Sequence, residues 1–313
     1  MKRRDFVQKS AAIGAVAASF TSGSLMAGSL ANNKPETAPV ARSFNLKYAP
    51  HFGMFKNSAG DDLIDQLKFM HEQGFTALED NGMMKRDVST QEKIGKEMEK
   101  LGMDMGVFVV DKGGNGANTL AADKKEHLDI FLDGCKRAVE VAKRVNAKWM
   151  TVVPGDFERR LPLDMQTANV VEALKRGAEI FEPHGLVMVL EPLSDSPNLF
   201  LRHSYQAYMI CKAVDSPSCK ILHDFYHLQR NEGDLVRNMD AAWNEIAYIQ
   251  VGDNPGRKEP TTGEINYKNV FRHLHGKGFT GIVGMEHGNF RKGKEGEEAL
   301  IKAYHEVDSF NMQ

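Results

Sequence analysis

Short apolar runs alternate along this chain with longer stretches in which apolar residues recur every three or four positions. The short runs fall at 45–48, 76–79, 104–110, 148–153, 186–191, 220–224, 247–251 and 282–286. Each is largely apolar on consecutive positions and is followed by polar or glycine-rich residues, the pattern of parallel strands buried on both faces. The longer stretches predict amphipathic helices. In 61–73, Leu63, Ile64, Leu67 and Met70 share one face, and Gly74 ends the pattern. Further helical stretches cover 127–146, 165–184 (ending at Gly185), 267–277 (ending at Gly278) and 295–310.

Eight such strands with helices between them are the count of a (β/α)8 TIM barrel, an α/β fold of one domain, here spanning 43–313. An open doubly wound sheet would need a G-x-G-x-x-G fingerprint after an early strand. The glycine cluster Gly113-Gly114-Asn115-Gly116 lacks that spacing and reads instead as a flexible loop over the site. The length of 313 residues lies within the barrel range.

The N-terminus changes the picture of where the domain works. Lys2-Arg3-Arg4-Asp5-Phe6-Val7 precedes a mild apolar run from Ala11 to Phe20 and small residues beyond it. A basic start, a short apolar core and small residues make a signal peptide over 1–31, with cleavage after Ala31 or Ala27. The paired arginines predict twin-arginine export to the periplasm. No cysteine lies near the end of the apolar run, so no lipid anchor is expected. Residues 32–42, with Pro35 and Pro39, read as a linker.

Composition narrows the partners. A formal net charge of −2 provides no basic excess for nucleic acid. Three cysteines, Cys135, Cys211 and Cys219, are too few for a disulfide framework and read as buried free thiols.

In a barrel the strand C-termini share one mouth, and the chemistry gathers there. Strand five ends in Glu191, strand six in Asp224, strand seven carries Gln250, and strand eight ends in Glu286. A carboxylate closing an apolar strand is costly unless paired or metal-bound. Four oxygen-bearing groups on four consecutive strands point to one divalent cation. An all-oxygen set suits Mg2+ or Mn2+, with Co2+ and Zn2+ left open. The loop after strand seven, 251–267, is stiffened by Pro255, Gly256 and Pro260 and carries Asp253, Arg257, Glu259 and Glu264. Asp253 and Arg257 are candidate substrate-binding groups, as is His51 after strand one. Glu79-Asp80 after strand two and Asp156 with Glu158 after strand four also lie near the expected mouth. Trp149 is expected in the barrel wall, and Met83-Met84 as apolar lining.

Leu-Glu-Pro-Leu at 190–193, Asp-Phe-Tyr-His-Leu-Gln at 224–229, the Gln-Val-Gly-Asp-Asn-Pro-Gly-Arg-Lys-Glu-Pro-Thr-Thr-Gly-Glu-Ile-Asn-Tyr loop at 250–267 and Gly-Met-Glu at 284–286 resemble the hydroxypyruvate isomerase family of the xylose isomerase-like TIM barrels. The resemblance implies that Glu191, Asp224, Gln250 and Glu286 bind the metal. It makes Glu191 and Glu286 the acid/base pair, moving a proton through a cis-enediolate, and has His227 and Arg257 hold substrate oxygens. The implied substrate is a small hydroxy-carbonyl compound, hydroxypyruvate or a keto-sugar. The chain departs from the family at Ser194-Asp195, where an Asn is usual, and at Thr261-Thr262. A 3-keto-sugar or glycoside epimerase or lyase would use the same residues, and a non-catalytic periplasmic sugar-binding protein is the reading from another class. The resemblance also allows a homo-oligomer.

Overall fold

The computed structural model describes residues 43–310. The expected signal peptide at 1–31 and linker at 32–42 lie outside them, as do residues 311–313. The strands are β1 (Lys47–Ala49), β2 (Ala77–Leu78), β3 (Asp104–Met105), β4 (Phe108–Val109), β5 (Trp149–Val152), β6 (Val187–Leu190), β7 (Cys219–Asp224), β8 (Ile246–Gln250) and β9 (Ile282–Gly284). Their pairings are parallel throughout: β1-β9-β8-β7-β6-β5-β4 form one sheet, and β2 pairs with β3. Backbone bonds carry the ring across the remaining joints. Glu79 N donates to Pro50 O at 2.9 Å, and Asp80 N to Val107 O at 3.2 Å. The sheet therefore curls into the expected α/β barrel.

One expected strand is broken. The sequence predicts a continuous run over 104–110, but the structure splits it into β3 and β4 at Gly106–Val107. A Cβ at Gly106 would run into the Tyr248 hydroxyl and press on Leu78 O, so the bend depends on glycine giving both groups room.

The helices follow their caps. Asp62 accepts from the amides of Ile64 and Asp65 to open the helix Leu63–Glu72. Asp87 caps Val88–Leu101 in the same way, and Gly102 ends it at φ 66°. The apolar period does not reveal Val88–Leu101, because its buried face is only Gln91, Ile94 and Met98. Leu63–Glu72, Lys125–Val145, Leu163–Phe181, Tyr267–Gly276 and Gly293–Val307 occupy the stretches the period predicts. Ser204–Val214, Phe225–Asn231 and Leu235–Ala242 complete the layer around β6, β7 and β8.

Two shells of side chains hold the barrel. The outer one packs strands against helices, and Cys135, Cys211 and Cys219 are free and buried within it. The inner one is Ala49, Ala77, Val107, Val187, Val189, Leu222, Tyr248 and Ile282, with Trp149 half-buried against it. The inner shell sets the phase for everything above it. A strand alternates its faces with a period of two. Val187 and Val189 point inward, which carries Glu191 inward at the next step. Leu222 does the same for Asp224, Tyr248 for Gln250, and Ile282 with Gly284 for Glu286.

Candidate active site

That phase brings the predicted carboxylates together. Glu191, Asp224, His227 and Glu286 each place one ligand-capable atom so that all four lie within 4.8 Å of one another. Glu191 is 5 % exposed and Asp224 0 %, whereas 22 % of the Glu286 side chain remains accessible at the mouth. Asp224 caps the helix Phe225–Asn231 by accepting from Tyr226 N at 2.7 Å, which fixes its carboxylate and carries His227 into the cluster. His227 Nε2 lies 3.6 Å from Asp224 Oδ2 and 3.8 Å from Glu191 Oε1. Its Nδ1 lies 2.8 Å from Ser194 Oγ. Ser194 N also donates to that Nδ1 at 3.1 Å, so residue 194 holds the ring through both its backbone and its hydroxyl. The departure at Ser194 thus has a local job that the sequence alone does not disclose.

Gln250 joins from β8. Its Nε2 donates to Glu79 Oε1 at 2.7 Å. Gln250 Oε1 and Glu191 Oε1 are buried without a hydrogen-bond partner. Buried polar oxygens are seldom left so, and two of them beside a converging acid and imidazole set fit a divalent cation.

Arg257 closes the cluster from the loop after β8. Its backbone adopts φ 49°, and its Nη2 donates to Glu286 Oε2 at 2.7 Å and approaches His227 Nε2 at 3.0 Å and Asp224 Oδ2 at 3.5 Å. The guanidinium also lies over the Tyr226 ring, 5.0 Å from its centroid. Asn81, just past β2, donates to Glu286 Oε1 at 2.8 Å. Sequence reasoning missed Asn81; the available signal was its place directly after Glu79-Asp80 at a strand end.

The electrostatics follow from burial and crowding. Burial pushes the Glu286 carboxyl up to about 8, with Arg257 opposing and Asp224 adding to the rise. Burial, then the neighbouring Glu286 and Asp224, hold Glu191 well above the usual carboxylate range. Burial lowers His227, against the pull of Asp224. Crowded, desolvated carboxylates prefer to keep protons, and a bound cation would return them to their ionised form.

Two predicted substrate contacts do other work in this structure. Asp253 is 1 % exposed, and its carboxylate accepts from Gly263 N at 2.8 Å and Ile265 N at 3.0 Å. It is the hub that folds the 251–267 loop, with its own amide tied to Lys258 O at 2.7 Å. His51 sits between two carbonyls, Nε2 at 3.0 Å from His287 O and Nδ1 at 2.9 Å from Phe52 O. Neither ring nitrogen is turned to the cluster. Asp80 pairs with Arg86 at 2.5 Å, while Glu79 turns into the barrel. The loop carrying Gly114 and Asn115 lies beside the mouth. With Asn81, Lys112 and Val153 it lines a cavity of about 360 Å3.

A family model described as xylose isomerase-like TIM barrel matches residues 67–306. The chain belongs to that family. Among curated members of known name, it is 31 % identical over 159 residues to hydroxypyruvate isomerase of Escherichia coli, covering 50 % of this chain and 62 % of that enzyme. The aligned segment thus spans under two thirds of that relative. A longer match, 25 % identical over 249 residues, covers 77 % of this chain and 93 % of 2-oxo-tetronate isomerase from Haemophilus influenzae. Among solved structures, the 3-keto-D-glucoside 4-epimerase of E. coli superposes with a TM-score of 0.69 at 19 % identity, covering 85 % of this chain and 100 % of that one. At that identity the superposition speaks for the xylose isomerase-like barrel alone.

Proposed function

We propose that this family member is a divalent-metal-dependent isomerase or epimerase of a small hydroxy-carbonyl compound, hydroxypyruvate or a keto-sugar. The observation that carries the reading is the convergence of Glu191, Asp224, His227 and Glu286 within 4.8 Å at the C-terminal ends of the strands. Gln250 Oε1 completes the donor set. His227 enters it as a nitrogen ligand in addition to the oxygens expected from sequence, which widens the fitting metals from Mg2+ and Mn2+ toward Co2+ and Zn2+. The ion, when bound, supplies Lewis-acid polarisation of a carbonyl and its neighbouring hydroxyl.

The chain's own groups do the rest. Glu191 and Glu286 stand on β6 and β9 sides of the mouth, so each would exchange a proton with one face of the substrate carbon. Asn81 and Arg257 hold the two Glu286 oxygens, fixing the carboxyl for proton transfer. The Arg257 guanidinium stands ready to stabilise oxyanion charge as the cis-enediolate forms. Ser194 holds the His227 ring. Names of relatives supply the substrate class: hydroxypyruvate and 2-oxo-tetronate for those similar in sequence. A second reading, epimerisation of a 3-keto-glycoside, rests on the cavity beside Asn81, which offers room beyond a three-carbon substrate.

The test is solvent exchange. Metal-loaded protein in deuterium oxide should place deuterium next to the carbonyl of hydroxypyruvate, 2-oxo-tetronate or a 3-keto-glucoside, read by proton NMR, and chelation should stop it. Absence of exchange into all three, with metal bound, would leave the sugar-binding reading in front. We also propose export through the twin-arginine route. Sequencing the mature N-terminus from a periplasmic fraction tests it; an intact Met1 in cytoplasmic protein would overturn it.

A further inference from the structure

Glu79 has no part in the proton transfer above, yet it accepts hydrogen bonds from two buried side chains, one of them Gln250 of the proposed metal centre. The Tyr248 hydroxyl donates to Glu79 Oε2 at 3.0 Å, and Gln250 Nε2 donates to Glu79 Oε1 at 2.7 Å. All three side chains are closed off from solvent, Glu79 at 1 % exposure and Tyr248 and Gln250 at 0 %. The space for this chain of groups is kept by glycines. A Cβ at Gly284 would collide with Glu79 Oε2, and one at Gly106 would collide with the Tyr248 hydroxyl.

A glutamine amide fits a site equally well either way round by volume, so its partner decides which end points where. Glu79 accepts through both oxygens here. Against the Glu79 carboxylate, turning the Gln250 amide over would set two acceptor oxygens against each other in a dry interior, where such opposition is costly. The arrangement leaves Gln250 Oε1, a buried oxygen with no partner, turned away from Glu79 on a residue that pairs in register with Asp224. We propose that Glu79 is a positioning residue: it holds the Gln250 amide by its nitrogen and thereby presents Gln250 Oε1 to the divalent ion. The inference rests on the metal-centre reading and adds to it the group that orients one ligand.

The experiment is calorimetric titration of chelator-stripped protein with Mn2+ alone, on wild type, Glu79→Gln, the charge-conserving exchange Glu79→Gln/Gln250→Glu, and Tyr248→Phe. Glu79→Gln keeps the shape but offers Gln250 either a nitrogen or an oxygen. It is expected to weaken Mn2+ binding by about ten- to a hundred-fold. The exchange variant should recover binding, because the amide introduced at 79 can satisfy the carboxylate introduced at 250 only by donating to it, again leaving an oxygen toward the ion. Tyr248→Phe removes the bond that holds Oε2 and should weaken binding less than Glu79→Gln does. It serves as the measurement should the changes at 79 unfold the chain. Equal Mn2+ affinity in wild type and Glu79→Gln, or in wild type and Tyr248→Phe if only that variant folds, overturns the proposal while leaving the metal centre standing. An exchange variant that folds but binds no better than Glu79→Gln also overturns it. Wild type that takes up no Mn2+ removes the metal-centre reading itself, and this inference with it.

Discussion

Arg257 grips Glu286 twice, with Nη2 on the carboxylate at 2.7 Å and Nε on the backbone oxygen at 3.2 Å. The loop after β8 is thereby wired to the end of β9. Around Glu286, Arg257 pulls the carboxyl down most strongly, with the Asn81 hydrogen bond adding to it, against the upward push of burial. Removing the guanidinium should raise that carboxyl further. A base that must be ionised to work then ionises at higher pH, so the acid limb of the pH–rate profile should move upward in Arg257→Met. A fall of about a hundredfold in kcat/KM is expected from the lost charge. An unshifted limb would place Arg257 outside the proton-transfer machinery.

Glu286→Gln keeps the hydrogen-bonding outline of the side chain and removes its ability to carry a proton. Turnover should fall by about 10³-fold or more, with deuterium exchange into substrate lost and the melting temperature little changed. Asp224→Ala should instead lose the metal, since it deletes a carboxylate buried at the centre of the cluster. Elemental analysis separates the two: metal retained in the first variant, absent in the second. Retained turnover in Glu286→Gln would remove it from the acid/base pair.

How far the sequence discloses this site depends on what each residue's signal is. Glu191, Asp224 and Glu286 are legible because each terminates an apolar strand, and the period-two phase set by Val189, Leu222 and Ile282 leaves them one direction to point. Gln250 is legible for the same reason, one period above Tyr248. Glu79 is placed near the mouth by its strand, but its turn into the barrel is not legible, because β2 is only Ala77–Leu78, too short to display a phase. Asp253 and His51 show the opposite failure. Their residue types suit a substrate, but direction within a folded loop is decided by backbone amides and carbonyls that no side-chain pattern reports. Asp253 spends its carboxylate on Gly263 and Ile265, and His51 spends its ring on Phe52 and His287. The barrel itself is legible from strand count, while the helix Val88–Leu101 is not, since a glutamine stands where its buried face would show an apolar residue.

Gly284 gives a packing test of the Glu79 arrangement. Its missing side chain is where the Glu79 carboxyl lies, so Gly284→Ala should destabilise the fold by about 1–3 kcal/mol through overpacking of a rigid interior. Combined with Glu79→Ala, which empties that space, the second change should cost less than it does alone. Chemical denaturation of the two single variants and the double variant measures the coupling. Purely additive losses would mean that the two positions do not meet.

Lys112 carries the pH prediction. Its ammonium is folded into its own loop, bonded to Gly114 O at 3.2 Å and to Ala117 O, with only 4 % of the residue exposed. Burial pushes it down to about 8 from an ordinary 10.5, against the pull of Asp156. Because the folded value lies below the unfolded one, the unfolded chain binds the extra proton between those two values. Stability from this group therefore rises with pH from about 8 to about 10.5; it is absent below that window and complete above it. Urea midpoints of wild type and Lys112→Met, measured across pH 7 to about 10.5, isolate the group, because the remaining lysines and tyrosines cancel in the difference. Wild type should gain on the variant as pH rises, with a slope of no more than about one proton. A flat difference would mean that the Lys112 ammonium is solvated and titrates as an ordinary lysine, and that the loop over the cavity beside Asn81 opens in solution.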